Sequence, residues 1–393
     1  MTNLEDLPLR ADLRGQTPYG APQLDIPVRL NVNENAFDVP ADVVQAMDHA
    51  LQAELPHLNR YPDREFTALR ARLARYLDGV LTRQGGRDAA SGQPVAHAPV
   101  DPAGIWAANG SNEVLSHIVQ AFGGPGRRAL GFVPSYSMHS LITTSTGAEW
   151  ITAERAADFT LTADAAVAAV RAHRPEVVFL CTPNNPTGTG LDLDVVRAVL
   201  AETEGIVVVD EAYAEFARPG YVSALTLLPD NPRLVVSRTM SKAFAFAGVR
   251  LGYAVADPAL IDALRLVRLP YHLSALTQAA AGAALDHADS LLANVEELIR
   301  QRDRMSAGLA DLGLDVVPSD SNFLLFGGLT DPSAFWQGLL DRGVLVRDIG
   351  IPGHLRVNAG TADETTAFLD ACAALLAADP THLTTSETAE ESA

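Results

Sequence analysis

Apolar and polar positions along this chain fall into two rhythms. Continuous apolar runs of three to five residues recur at Ala129–Phe132, Val177–Leu180, Ile206–Val209, Leu234–Val236 and Leu251–Val255. Each reads as a strand buried on both faces, because no polar residue interrupts it. Between them lie stretches with helical spacing: Val114–Phe122, Leu141–Thr146, Ala163–His173, Leu193–Thr203 and Pro258–Val267. Strands without alternation that are separated by helices predict a mostly parallel sheet covered on both faces. Upstream, Ala41–Leu51 and Arg64–Leu77 read as helices, and Ile105–Ala108 as a strand. Downstream, the pattern changes. Helices over Leu276–Leu285, Ser290–Leu312, Pro332–Leu340 and Glu364–Leu376 mix with short strands over Asn322–Phe326, Val344–Val346 and His354–Val357, which predicts a smaller α+β unit.

Gly and Pro punctuation sets the remaining boundaries. Residues 1–28 carry Pro8, Pro18, Pro22 and Pro27 and read as an irregular arm. Residues 83–102 read as a surface insertion rich in Gly and Pro, and residues 381–393 as an acidic, disordered tail. The expected division is a large domain over 65–285 and a small one over 29–64 plus 286–380. With 393 residues, 48% of them hydrophobic and 20% charged, the chain has material for two cores. The net charge of -19 argues against a nucleic-acid surface. Two cysteines, Cys181 and Cys372, are too few for a disulfide framework. No apolar run approaches the roughly 20 residues that span a bilayer, and the first residues lack an apolar signal core, so the expectation is a cytoplasmic protein.

Candidate chemistry lies where apolar strands end, because ligands in parallel sheets sit at the carboxyl ends of strands. Asn185 follows one such run, Asp210 ends the next, and Lys242 follows a third. Lys242 stands among small and apolar neighbours, which favours the neutral amine and makes it a candidate Schiff-base nucleophile. Asn109-Gly110-Ser111-Asn112-Glu113 opens a helix and suits an anion, although Ser111 or Asn112 could serve simply as a cap there. Asp210-Glu211 could be read as a metal pair, but no His or Cys ligands accompany it. Taken together, a desolvated lysine, an aspartate, a tyrosine and an asparagine at strand ends, with an anion-binding helix start, match what pyridoxal 5'-phosphate requires. Lys242 would bond the cofactor and Asp210 would pair with its pyridine nitrogen. Tyr213 and Asn185 would meet its ring oxygen, and Tyr136 its ring face. Ser111, Asn112, Thr239, Ser241 and Arg250 would hold its phosphate.

Asn184-Asn185-Pro186-Thr187-Gly188, Asp210-Glu211-Ala212-Tyr213 and Ser241-Lys242 with Ala247-Gly248-Val249-Arg250 resemble the fold-type I, pyridoxal-phosphate-dependent aminotransferases over roughly residues 17–376. Asn33-Glu34-Asn35, Asn59-Arg60-Tyr61-Pro62-Asp63, Leu269-Pro270-Tyr271-His272-Leu273-Ser274, Ser321-Asn322-Phe323 and Val346-Arg347-Asp348 are most similar to the histidinol-phosphate branch of that family. The resemblance implies an α/β fold with a mostly parallel seven-stranded sheet, a small α+β domain and an N-terminal arm. It implies a homodimer, in which Tyr61 reaches the cofactor phosphate of the neighbouring subunit. Lys242, Asp210 and Tyr213 would be catalytic. Tyr19, Asn33, Tyr271, Arg347 and Arg356 would bind substrate, with Arg356 on a carboxylate. The implied substrates are L-histidinol phosphate and 2-oxoglutarate, and an aromatic amino-acid aminotransferase is the alternative. No metal is expected. Read without the family, Arg347-Asp348 is a surface ion pair. Residues 83–102 and the acidic tail are additions with no assigned role.

Overall fold

The computed structural model describes residues 22–84 and 97–384, with residues 3, 6–10, 13–15 and 20. Parts of the expected arm, residues 85–96 of the insertion and residues 385–393 of the acidic tail therefore lie outside the described residues, as does Tyr19. After β1 (Val28–Arg29), seven strands build the main sheet: β2 (Ile105–Ala108), β3 (Arg128–Val133), β4 (Glu149–Glu154), β5 (Val177–Cys181), β6 (Ile206–Asp210), β7 (Leu234–Thr239) and β8 (Gly252–Ala256). Their spatial order is β2-β8-β7-β6-β5-β3-β4. Only β8 runs against its neighbours; the pairs β7–β6, β6–β5, β5–β3 and β3–β4 are parallel.

That topology carries the function, because it brings the carboxyl ends of β2, β3, β5, β6 and β7 to one edge. Cys181 pairs with Asp210, and Asp210 with Ser237, so three strand ends lie in register beside one another. Every residue of β5 and β8 is buried, as their unbroken apolar runs predict, and so is every residue of β7, including its polar end Ser237-Arg238-Thr239. The helix Ser111–Phe122 packs on β2, β7 and β8, and the helices Ala163–His173 and Leu193–Glu202 pack on each other.

Two elements depart from expectation for local reasons. β4 is not predicted from the sequence: Glu-Trp-Ile-Thr-Ala-Glu lies on the sheet edge with three residues exposed and three half-buried, and lacks an apolar run, so only its parallel pairing with β3 defines it. The helix expected from Arg64 begins at Thr67 and continues to Gln84. Asp63 accepts from the Glu65 and Thr67 N–H groups at 2.9 and 2.8 Å, and Phe66 takes a left-handed φ of 41°, which holds Arg64–Phe66 outside the helix.

A second core forms over the rest of the chain from Leu30, Leu324, Phe326, Phe335, Val344, Val357 and Phe368. It supports an antiparallel sheet of β9 (Asp315–Val316), β10 (Phe323–Gly327) and β12 (Leu355–Asn358), and the parallel pair of β1 with β11 (Val344–Leu345). Helix Ala41–Glu54 instead packs on helix Ala275–Asp286, and its Val43 belongs to the larger core.

Candidate active site

The carboxyl ends of β2, β3, β5, β6 and β7, with the segments that follow them, line one cavity of about 140 Å³. It is lined by Ser111, Asn112, Tyr136, Cys181, Asn185, Asp210, Ala212, Tyr213, Thr239, Ser241, Lys242 and Arg250. Ten of these are residues singled out from the sequence; Cys181 and Ala212 are additions.

At the floor, Asp210 is buried, and its Oδ2 accepts from His139 Nε2 at 3.0 Å. Its Oδ1 has no partner among the described residues and no access to water. A buried carboxylate oxygen without a donor is costly unless a ligand supplies one. The N–H of a protonated pyridine is such a donor. His139 is the functional residue that sequence reasoning missed. Its ring stacks on Phe179, centroids 4.6 Å apart, and lies edge-on to Tyr136. The available signal was its spacing: it falls three residues after Tyr136, within one helical turn.

Along one wall, Tyr213 is buried, and its hydroxyl oxygen receives Asn33 Nδ2 at 3.0 Å and Asn185 Nδ2 at 3.4 Å. Asn185 Oδ1 in turn accepts from Arg356 Nη1 at 2.6 Å, and Arg356 Nη2 donates to the Asn31 carbonyl at 2.9 Å. Arg356 is buried with its guanidinium 5.3 Å from the centroid of the Phe323 ring. Lys242 Nζ donates to the Val32 carbonyl at 3.0 Å. Burial, reinforced by the charges of Arg356 and Arg250 and opposed by Glu34, brings its amine down to about 8. A fraction of the amine is then neutral near pH 7 and available as a nucleophile.

The candidate anion cradle combines backbone and side chains. Gly110 precedes the helix Ser111–Phe122 with φ of 86° and no side-chain cap, so the expected capping by Ser111 or Asn112 does not occur. Asn112 Oδ1 instead accepts from the Tyr136 hydroxyl at 3.1 Å. Glu113 Oε2 reaches back to the Asn109 N–H at 2.6 Å and the Glu113 N–H donates to the Gly110 carbonyl at 3.2 Å, so among the described residues the Ser111 and Asn112 N–H groups, on residues that line the cavity, keep no acceptor. A Cβ at Gly110 would collide with the Arg250 guanidinium, and one at Gly252 with the Ser111 nitrogen. Arg250 Nη1 lies 3.4 Å from Ser241 Oγ, and Thr239 Oγ1 accepts from the Ser241 N–H at 3.1 Å. Free N–H groups, two hydroxyls and an arginine at a helix N-terminus form a site for a phosphate. The donor set therefore fits pyridoxal phosphate at both its ring nitrogen and its phosphate.

The other expected residues lie apart. Tyr61 is 79% exposed and stacks on Tyr271 of the same chain, centroids 4.3 Å apart and planes 12° from parallel. Neither lines the cavity. Arg347 donates to the Gly20 carbonyl at 3.2 Å, while Asp348 accepts from Ser333 and Gly350, so the surface ion pair read from the sequence does not form. Glu211 turns away from Asp210 to Arg238, and no cluster of metal-binding side chains exists among the described residues.

Comparison with known proteins gives the same picture. The family described as aminotransferase class I and II matches residues 25–372. A histidinol-phosphate aminotransferase of Paenarthrobacter aurescens is 58% identical over 379 residues, covering 96% of this chain and 97% of that protein. One from Nocardia farcinica is 57% identical, over 96% of this chain and 93% of its own. Among solved structures, the histidinol-phosphate aminotransferase of Sinorhizobium meliloti in complex with pyridoxal-5'-phosphate superposes with a TM-score of 0.76 at 25% identity, over 90% of this chain and 92% of that one.

Proposed function

Because the chain belongs to the class I and II aminotransferases, we propose that it exchanges the amino group between L-histidinol phosphate and 2-oxoglutarate, giving imidazole acetol phosphate and L-glutamate in histidine biosynthesis. The observation that carries this substrate assignment is identity of 57–58% over nearly the whole chain to proteins named for that reaction. The enzyme uses pyridoxal 5'-phosphate, which when bound supplies an electron sink for the negative charge that develops at the substrate's amino-bearing carbon.

The chain's own residues do the rest. Asp210, held by His139, would keep the ring nitrogen protonated through its open Oδ1. Ser111, Asn112, Thr239, Ser241 and Arg250 would anchor the cofactor phosphate, and Tyr136 would cover the ring face. Tyr213 and Asn185 would contact the ring oxygen. Lys242 would hold the cofactor in the resting enzyme and, once displaced, take the proton from the substrate carbon at its Nζ and return one on the cofactor side. Arg356 would receive the carboxylate of glutamate, with Asn185 already fixing its fork. Arg347, Tyr19 and Tyr271 would serve the distal end of the substrate.

We also propose a cytoplasmic homodimer. Leu58, Tyr61, Leu266 and Leu269 are exposed on segments tied together by Arg268, which donates to the Arg64 carbonyl, and by the Tyr61–Tyr271 stack. A patch of this kind suits an interface, from which Tyr61 of one subunit would reach the cofactor phosphate of the other. Within each subunit, the division into large and small domains would follow the two cores.

The test is a half-reaction on the cofactor-loaded protein. L-Histidinol phosphate and L-phenylalanine are mixed with it separately at equal concentration, and loss of the visible absorption is followed. Faster loss with histidinol phosphate is expected; faster loss with phenylalanine would move the protein to the aromatic branch.

A further inference from the structure

Three consecutive residues outside the main sheet each touch a different functional group. The carbonyl of Asn31 accepts from Arg356, the carbonyl of Val32 from Lys242, and the side chain of Asn33 donates to Tyr213. Asn33 is the one that acts through its side chain. Its backbone is gripped from the small sheet: its N–H donates to Asn358 Oδ1 at 3.2 Å, and its carbonyl accepts from Asn322 Nδ2 at 3.2 Å. It adopts φ of 56°, a left-handed conformation that Asn and Gly tolerate and β-branched residues do not.

The consequence is for a single proton. Arg356 can only donate, so Asn185 Oδ1 must face it, and Asn185 Nδ2 must face Tyr213. Asn33 also presents Nδ2 to that hydroxyl, while its own Oδ1 is buried without a partner among the described residues. Two NH₂ groups thus occupy the lone pairs of the Tyr213 oxygen. Its proton has no acceptor among them and is left for the cavity. We infer that Asn33 is a positioning residue: paired with Asn185, it makes the Tyr213 hydroxyl a one-way donor into the cofactor site.

Burial raises the Tyr213 hydroxyl above its ordinary range, while Arg356 and the Asn33 hydrogen bond pull it back down. Donors on an oxygen strengthen its own O–H as a donor. A stronger donor at the cofactor's ring oxygen holds negative charge there and favours loss of the proton from the adjacent nitrogen that Lys242 contributes. The other charged and titratable groups facing these two residues are Asp210 and Cys181 at Tyr213, and Arg356, Glu34 and Arg250 at Lys242.

The inference rests on the cofactor reading above but not on the substrate, since its test contains no amino donor. The measurement is the pH midpoint of the visible absorption of the cofactor-loaded protein. Asn33→Gly, which keeps the left-handed backbone, should raise the midpoint by about half a unit, and Tyr213→Phe by more. Asn33→Asp, which keeps the shape but replaces the donor by an acceptor, should approach the Tyr213→Phe value, and it provides the readout if the glycine variant does not fold. In the Tyr213→Phe background, Asn33→Gly should add no further shift. A midpoint unchanged by both Asn33 variants, or an Asn33→Gly shift that persists undiminished without the Tyr213 hydroxyl, would overturn the inference. The histidinol phosphate half-reaction can succeed or fail independently of either result.

Discussion

Asp210 and Glu211 are neighbours at the end of one strand, both acidic and both buried, and they are put to opposite uses. Glu211 is saturated. Its Oε2 accepts from Ser223 Oγ at 2.6 Å and from Arg238 Nη2 and Nε at 2.7 and 3.1 Å, and its Oε1 accepts from the Ala224 N–H at 2.7 Å. Arg238 is itself 1% exposed and also bonds Glu215 at 3.2 Å. Asp210 points to the other face of the sheet, has one partner in His139, and leaves Oδ1 bare beside a cavity. A buried acid whose valences are filled by its own protein is part of the architecture. One left short beside a cavity marks where a ligand completes the structure.

If that distinction is right, breaking the saturated acid should damage the fold and little else. Glu211→Ala leaves Arg238 charged and buried, and should cost about 3–5 kcal/mol in denaturant unfolding. Refolded protein should keep the pH midpoint of its visible absorption. A stability loss under about 1 kcal/mol would place Glu211 outside the architecture.

The open site should show the reverse, a cost in stability that function imposes. Lys242 sits at about 8 in the folded chain against an ordinary 10.5. Between those values the unfolded chain binds the extra proton, so cofactor-free protein gains stability as pH rises from about 8 to 10.5, and the penalty is complete below 8. Lys242→Met should therefore make the cofactor-free protein more stable at pH 7, by up to roughly 3 kcal/mol, with the advantage vanishing above the upper value. Equal stability of the two at pH 7 would contradict it.

The smallest expected effect belongs to the one partner Asp210 does have. His139→Phe keeps a flat ring against Phe179 and removes the N–H to Asp210. Turnover should fall by about 10-fold with unchanged thermal stability. A drop in stability without a drop in turnover would make His139 a packing residue.

How much of this could be read before the structure follows from the same contrast. Asp210, Asn185 and Lys242 were legible because each interrupts or follows an unbroken apolar run, and parallel strands line up their ends. The backbone cradle at Gly110-Ser111 was legible as a turn opening a helix. What stayed hidden depends on distant residues meeting. His139 looks like any helical histidine until Phe179 and Asp210 are placed beside it. The Val32 carbonyl that holds Lys242 is 210 positions away. Glu211 could not be separated from Asp210 by sequence, because only the opposite facing of successive residues and the position of Arg238 give it a different partner. Strand β4 was hidden for a simpler reason: an edge strand with one wet face carries little apolar signal.

The most direct test of the central claim is the rate at which saturating L-histidinol phosphate bleaches the visible absorption of Asp210→Asn protein loaded with cofactor. The neutral amide keeps the shape and the contact with His139 but gives up the charge that would hold the ring nitrogen protonated. A rate reduced by about 10²–10³, with the protein as stable as the unaltered one, is predicted. A rate within a few-fold of the unaltered protein would contradict the account, because the bare oxygen of Asp210 would then not be waiting for a ligand.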